Sequence, residues 1–192
     1  MPIKVITAPS AALTLEQLRR HCRIDPPDSA NDVDTDLSAA LAAAQAYAQH
    51  YTGISIGSQT LELALDEFPA DGPIQLLQGP VTSITSVKYI DTAEVEQTIT
   101  STDYSLDDYS APAWLVPAYD VEWPDTLATT NAVKVRYVAG AATIDGAVAA
   151  ALRLLVGHYF TNREAIASGT VVEIPLGVRA LLDTVKDYGG RT

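Results

Sequence analysis

The chain has 192 residues, with 24 Asp or Glu against 12 Lys or Arg, a formal net charge of −12 at pH 7 and a hydrophobic fraction of 47%. This is a globular composition, and its acid excess opposes a protein that wraps nucleic acid, where affinity comes from cations neutralising phosphates. Cys22 is the single cysteine, which excludes an internal disulfide and a cysteine-rich zinc site.

The first element is announced by Thr14 and Gln17, a capping-box pair, with Leu15, Leu18 and Cys22 at helical intervals. A short helix over Leu13 to Arg23 is predicted, and Asp25-Pro26-Pro27-Asp28-Ser29 cannot continue it, because paired prolines remove donors and force extended geometry. From Asp34 or Thr35 to Thr52 the recurrence of Leu37, Leu41, Ala44, Ala48 and Tyr51 predicts a long helix, which Gly53 stops. Seven alanines lie between Ala39 and Ala48, with no charge from Leu37 to Gln49. Such a helix suits close approach by another, either within the chain or across a subunit contact. Asp32, Asp34 and Asp36 begin like a calcium loop, but Leu37 replaces the turn glycine and Ala43 the bidentate glutamate. The acids are better read as capping and charge-stabilising the start of the long helix.

The middle of the chain changes period. Leu61, Leu63 and Leu65 alternate with Glu62, Ala64 and Asp66, and Val133, Val135 and Tyr137 alternate with Lys134, Arg136 and Val138, which predicts two strands. Shorter candidates, Ile74 to Leu77, Ile84 to Ile90, Val95 to Ile99 and Tyr104 to Asp107, are separated by turn-rich pieces and suggest antiparallel hairpins. Ser110 to Pro124, with three prolines and both tryptophans, reads as a long ordered loop. Helix returns from about Asp145 to Glu164 on the face Val148, Leu152, Leu155 and Tyr159. A last helix opens at Pro175, carries Val178, Leu181, Leu182 and Val185, and ends before Gly189-Gly190.

The order predicts an α+β fold in a single domain over residues 1–192. A helical framework, an N-terminal helix pair plus C-terminal helices at about 13–53 and 145–188, holds an inserted antiparallel β-rich region at about 58–140. No stretch approaches the ~18 apolar residues of a membrane span, the run Ala147 to Leu152 being stopped by Arg153, and Met1-Pro2-Ile3-Lys4 leads into no signal-peptide core. No membrane partner and no secretion are expected.

Chemistry has no local signature. His21, His50 and His158 stand apart from any metal-ligand spacing, and no nucleophile elbow, P-loop or dinucleotide fingerprint is present. No catalytic residue, metal or cofactor is therefore assigned. Tyr89, Tyr104, Tyr137, Trp114 and Trp123 either fill a strand core or line a ligand cleft. Arg153, Arg163, Arg179, Lys186 and Arg191 gather toward one end, as solvated faces or as a docking surface for an acidic partner.

Six segments in order carry a wider likeness: Leu15 to Asp25 (LEQLRRHCRID), Ala44 to Gly53 (AQAYAQHYTG), Gly79 to Asp91 (GPVTSITSVKYID), Val133 to Gly140 (VKVRYVAG), His158 to Ala165 (HYFTNREA) and Ile174 to Leu182 (IPLGVRALL). In these the chain resembles the phage head-tail connector family, the adaptors that form the first ring beneath the portal of tailed bacteriophages and related particles. It departs from the family at Gln49-His50, where an acid is common, and at Asp91-Thr92-Ala93-Glu94, a hairpin turn without the expected glycine. The resemblance implies a non-catalytic virion protein at the head-tail junction, assembled in the bacterial host cytoplasm, with a β-domain inserted in the helical framework. About twelve copies would form a ring that extends the portal channel, receives a tail-completion or stopper protein, and lets DNA pass without specific binding. On that reading Leu41, Ala44, Tyr47, Ala48, Tyr51, Asn162, Arg163 and Glu164 are candidates for the subunit interface, and Lys186, Tyr188 and Arg191 for docking on the portal protein. The competing readings are an enzyme with dispersed site residues and a monomeric ligand-binding β-module on a helical base.

Overall fold

A computed structural model describes residues 2–24, 30–70, 72–141, 143–162, 166–167, 170–171 and 176–186, with residues 30, 31, 166–167 and 170–171 described by backbone alone. Among the described residues it shows four helices and antiparallel sheets, an α+β fold. The chain divides into two compact units, one within Met1–Ser10 and Gly57–Ala142, the other within Ala11–Ile56 and Thr143–Asp187.

The helical unit contains α1 (Leu15–Cys22), α2 (Ala30–Thr52), α3 (Gly146–Thr161) and α4 (Leu176–Asp183). Thr14 and Gln17 form the capping box, the Thr14 hydroxyl accepting from the Gln17 amide at 3.3 Å and the Gln17 side chain accepting from the Thr14 amide at 2.9 Å. Arg23, at φ 54, ends α1 in the left-handed conformation. α2 starts ahead of the predicted Asp34, because Val33 carries the apolar stripe one turn back from Leu37 and packs on the same core. It ends at Gly53, whose φ of 76 suits glycine. Asp145 caps α3 by accepting from the Ala147 amide at 2.7 Å. Two boundaries fall short of prediction: Asn162 closes α3 before Glu164, and α4 ends at Asp183, with Thr184 and Val185 turning back onto Leu181 and Leu182. Pro175 and Gly189-Gly190 lie outside the described residues.

The core of this unit is Leu18, Leu37, Leu41, Ala44, Ala48, Leu152, Leu155, Val156, Val178 and Leu182, with neighbours of the same kind. Among the described residues of this unit, the polar Gln45, Thr52 and Ser55 are also buried. Gln45, 3% exposed, accepts from the Ala12 amide at 3.2 Å and donates to the Ile56 carbonyl, while Gln49 one turn on accepts from the Ile56 amide at 2.7 Å. Two glutamines of α2 thus tie down the chain as it leaves the helix.

The β unit holds a five-stranded antiparallel sheet in the order β1 (Ile3–Thr7), β2 (Gln59–Leu65), β8 (Val133–Ala139), β4 (Val81–Ile90), β5 (Glu96–Ile99). A three-stranded sheet runs β3 (Ile74–Leu76), β7 (Ala113–Pro117), β6 (Tyr104–Asp107). Strand period places Leu61 and Leu63 of β2, Val135 and Tyr137 of β8 and Val87 of β4 on one face, where they share a core with Ile74, Leu76, Ala113 and Leu115 of the smaller sheet. On the other face Arg136 donates to Glu62 at 3.0 and 2.6 Å.

Some strands were not predicted. β7 lies within the stretch read as loop, since Pro112 precedes it and Pro117 is its last residue, yet Ala113 and Leu115 alternate inward as a strand requires. β1 pairs with β2 at the sheet edge, and its residues are largely exposed, so burial left no alternation to read. A two-residue pair, β9 (Ile166–Ala167) with β10 (Thr170–Val171), was also unforeseen.

The chain's passages out of the β unit are stitched together by backbone. Ser10 donates to the Ser58 carbonyl at 2.9 Å, and its hydroxyl accepts from the Ser58 amide at 3.0 Å. Gly140 sits at φ +97 with the position of a Cβ only 1.9 Å from the Gly57 carbonyl oxygen, so this crossing admits glycine alone. At the β4–β5 turn, Glu94 occupies the left-handed conformation at φ 64, where glycine was expected. Asp91 holds the turn: its carboxylate accepts from the amides of Ala93 and Val95 at 2.9 and 3.0 Å and from Gln97 at 2.8 Å. These bonds, that from Gln97 first, hold its carboxyl below the usual range.

Candidate assembly surfaces

The candidate interface residues on α2 divide by helical phase. Leu41, Ala44 and Ala48 are 4%, 0% and 0% exposed and packed inside their own unit. That corrects the expectation of a subunit contact through these three side chains, because the same spacing that nominated them is the spacing of the core face. Tyr47 and Tyr51, half-buried, lie at the edge of that face with ring centroids 6.0 Å apart. The Tyr51 hydroxyl donates to the Asp183 carboxylate of α4 at 2.7 Å, and this bond raises the Tyr51 pKa. Lys186 Nζ stands 4.6 Å from the centre of the same ring. A residue assigned to the subunit contact and one assigned to portal docking are therefore in contact.

Asn162 serves α3. Its backbone and side-chain N–H groups both donate to the His158 carbonyl, at 2.9 and 3.0 Å, so its first role is to cap the helix. Arg163, Glu164, Tyr188 and Arg191 lie outside the described residues. The acid run also differs from expectation. Asp32 stands in the first turn of α2, but Asp34 receives two bonds from Arg19 of α1, the Nε bond at 2.8 Å, and joins the two helices rather than capping one.

The outward face of α2 was not singled out in the sequence beyond its alanine content. Ala39, Ala42, Ala43 and Ala46 are exposed, interleaved with Thr35 and His50 at helical spacing. Of the aromatic candidates, Tyr137 is fully buried, its hydroxyl donating to the Leu77 carbonyl at 2.8 Å, and burial pushes its pKa far up. Trp114 and Trp123 are half-buried, and Trp123 stacks on Phe68 at 4.9 Å while its indole N–H donates to the Gly72 carbonyl. Among the described residues, the shifted groups Cys22, Tyr51, Asp91, Glu96, Tyr104, Tyr137 and Tyr159 are each accounted for by burial or a nearby partner. Among the same residues no three metal-ligating side chains converge, and no helix is long and apolar enough to cross a membrane.

The family profile described as phage gp6-like head-tail connector protein matches residues 12–112, just over half of the chain. Among solved structures, a chain from the neck of an empty gene transfer agent (GTA) particle, computed with C6 symmetry, is 25% identical. All of both chains is covered, at a TM-score of 0.76. Chains from the virion of a native GTA particle and from the native GTA neck computed with C12 symmetry match at the same identity and coverage, with TM-scores of 0.74 and 0.71. No curated protein matches. With more than half its sequence matched and its whole length similar in fold to neck components, the chain belongs to the phage gp6-like head-tail connector family, structural proteins of the virion's head-tail junction.

Proposed function

We propose that about twelve copies of the chain form a ring below the portal protein, extending the DNA channel and providing the platform for a tail-completion protein. The observation that carries this is the whole-length likeness, at a TM-score of 0.71, to a chain of a neck with C12 symmetry. Contacts repeat head to tail around the ring, so each subunit offers two different surfaces. Since Leu41, Ala44 and Ala48 are taken up by the helical core, the contact on α2 falls to its outward side, where Ala39, Ala42, Ala43 and Ala46 let another backbone come close, and to Tyr47 and Tyr51 at its edge. Asn162, Arg163 and Glu164 are kept as candidates for the same subunit contact. The segment from Lys186 onward docks on the portal. The excess of 12 acidic charges suits a channel wall past which DNA slides without being held. The protein works through packing and charge, with no catalytic step.

Light scattering of the purified chain, alone and mixed with its portal, followed by imaging of any large species, tests the reading. A ring of about twelve subunits, free or portal-bound, is expected. A chain that stays monomeric and ignores the portal would overturn it. Deleting residues 186–192 should abolish portal binding, and unchanged binding would remove the docking assignment. Charge reversal of acids facing the channel should slow DNA passage in packaging or ejection assays, and an unaltered rate would dismiss the charged-wall role.

A further inference from the structure

The β unit carries a cleft that the connector reading does not use. It occupies about 640 Å³ and is bounded by the segment after β2 and the long segment after β7. Its floor is Phe68, Trp123, Pro69, Pro117 and Pro124, all half-buried, and its rim bears Glu67, Glu122 and Asp125, all exposed. Among the described lining residues there is no Lys, Arg or His.

The floor is built rather than incidental. Phe68 meets Trp123 face to face at 4.9 Å with planes 8° apart, and meets Tyr89 of β4 edge-on at 5.8 Å, which anchors the pair to the sheet. The indole N–H is committed to the Gly72 carbonyl, fixing the ring's rotation. Gly72 itself, at φ +89, packs where a Cβ would touch Pro117 at 3.6 Å. The Trp123 segment is pinned on both sides, by Val121 donating to Ala118 at 3.1 Å and by Leu127 donating to Ile90 of β4 at 2.9 Å. Three prolines of fixed φ beside two stacked aromatics form a preorganised surface, so little ordering cost opposes binding.

We propose that this cleft is a docking site for an extended, basic, proline-containing segment of a partner protein. Charge selects the occupant: three carboxylates, with no cation among the described lining residues, attract Lys and Arg and repel nucleic acid. An aromatic and proline floor accepts the flat, ridged surface of a polyproline-type chain, with its basic side chains reaching the rim. One face of Trp123 is taken by Phe68, and the ring's remaining surface lines the cleft, where a guanidinium or ammonium gains from the indole quadrupole. This assignment is independent of the ring and of portal docking.

A synthetic decapeptide alternating Arg and Pro is titrated into the full chain while the two indole N–H signals are followed by NMR. A saturable shift of the Trp123 signal, with Trp114 unmoved, is expected. Replacing exposed rim charges, Glu122→Gln with Asp125→Asn, should weaken binding about tenfold without altering the thermal unfolding of the chain, since two exposed charge contacts are worth about that much together. A Glu-Pro decapeptide should not bind. Shifts that never saturate, equal affinity in the double variant, or equal affinity for spermidine in place of the peptide would each overturn the proposal.

Discussion

Replacing Gly140 with alanine is the sharpest test of how the β unit is tied together. The added methyl would lie 1.9 Å from the Gly57 oxygen, 2.6 Å from the Gly57 carbonyl carbon and 3.3 Å from the Ser58 nitrogen, all backbone atoms that no rotamer can move aside. Ordinary carbon–oxygen contact needs more than 3 Å, roughly, so the Gly57 peptide must retreat by over an ångström. That retreat breaks into the Ser10 and Ser58 pair of hydrogen bonds, each worth about 1 kcal/mol net. Forcing alanine to the observed positive φ adds about 1–2 kcal/mol. The total, about 3–4 kcal/mol, is a large fraction of the ~5–15 kcal/mol that keeps a domain folded. Urea unfolding followed by tryptophan fluorescence reads this unit directly, because Trp114 and Trp123 both belong to it. The control is Gly146→Ala, at the first turn of α3, where a Cβ meets nothing within 4 Å; it should be neutral or stabilise by up to about 1 kcal/mol. A Gly140→Ala protein within about 1 kcal/mol of the parent would refute the close-approach argument.

Three other outcomes follow from the same geometry. Glu94→Gly should stabilise the β4–β5 turn by up to about 1 kcal/mol, because the left-handed strain removed slightly exceeds glycine's entropic cost; a lower urea midpoint would contradict this. Asp91 has a lowered folded carboxyl pKa, so its contribution is complete above its unfolded value of 3.8 and is lost as pH falls through the folded value. Asp91→Asn should therefore flatten the loss of stability on acidification, and an unchanged acid slope in urea titrations would count against the turn's dependence on charge. Gln45→Leu keeps volume but leaves the Ala12 N–H and the buried Ile56 carbonyl without their side-chain partner, a cost of about 2–4 kcal/mol; circular-dichroism melting at an unaltered midpoint would show that water replaces the amide.

What could be read in the sequence was whatever burial writes as a period. α2, α3, β2 and β8 bury one face against a core, so their apolar spacing located them closely. β1 buries little and β7 is bracketed by prolines, and neither leaves that imprint. The candidate interface suffered the opposite confusion. Leu41, Ala44 and Ala48 were legible because they repeat, but repetition marks the face that folding consumes, whereas a surface for another subunit is drawn from the remainder of the helix. Gln45 had a signal that went unused: a lone amide in phase with Leu37, Leu41 and Ala48 must find partners once buried. The β4–β5 turn was legible as an anomaly, since a turn lacking glycine needed another support, and Asp91 supplies it.

The edge strand β1 has a practical consequence for anyone preparing this protein. It shields β2, whose Leu61 and Leu63 belong to the sheet's buried face, and itself meets solvent as a short strand bearing Lys4 and an irregular register between Val5 and Thr7, features that discourage further strand addition. Cleavage between β1 and α1 would let that cover dissociate and present a longer, regular, leucine-rich ladder with its backbone donors and acceptors open. Molecules clipped there would be open to strand addition along β2, so a large species in a nicked sample would signal proteolysis, and intact mass should be verified before any high-molecular-weight peak is taken for a closed assembly.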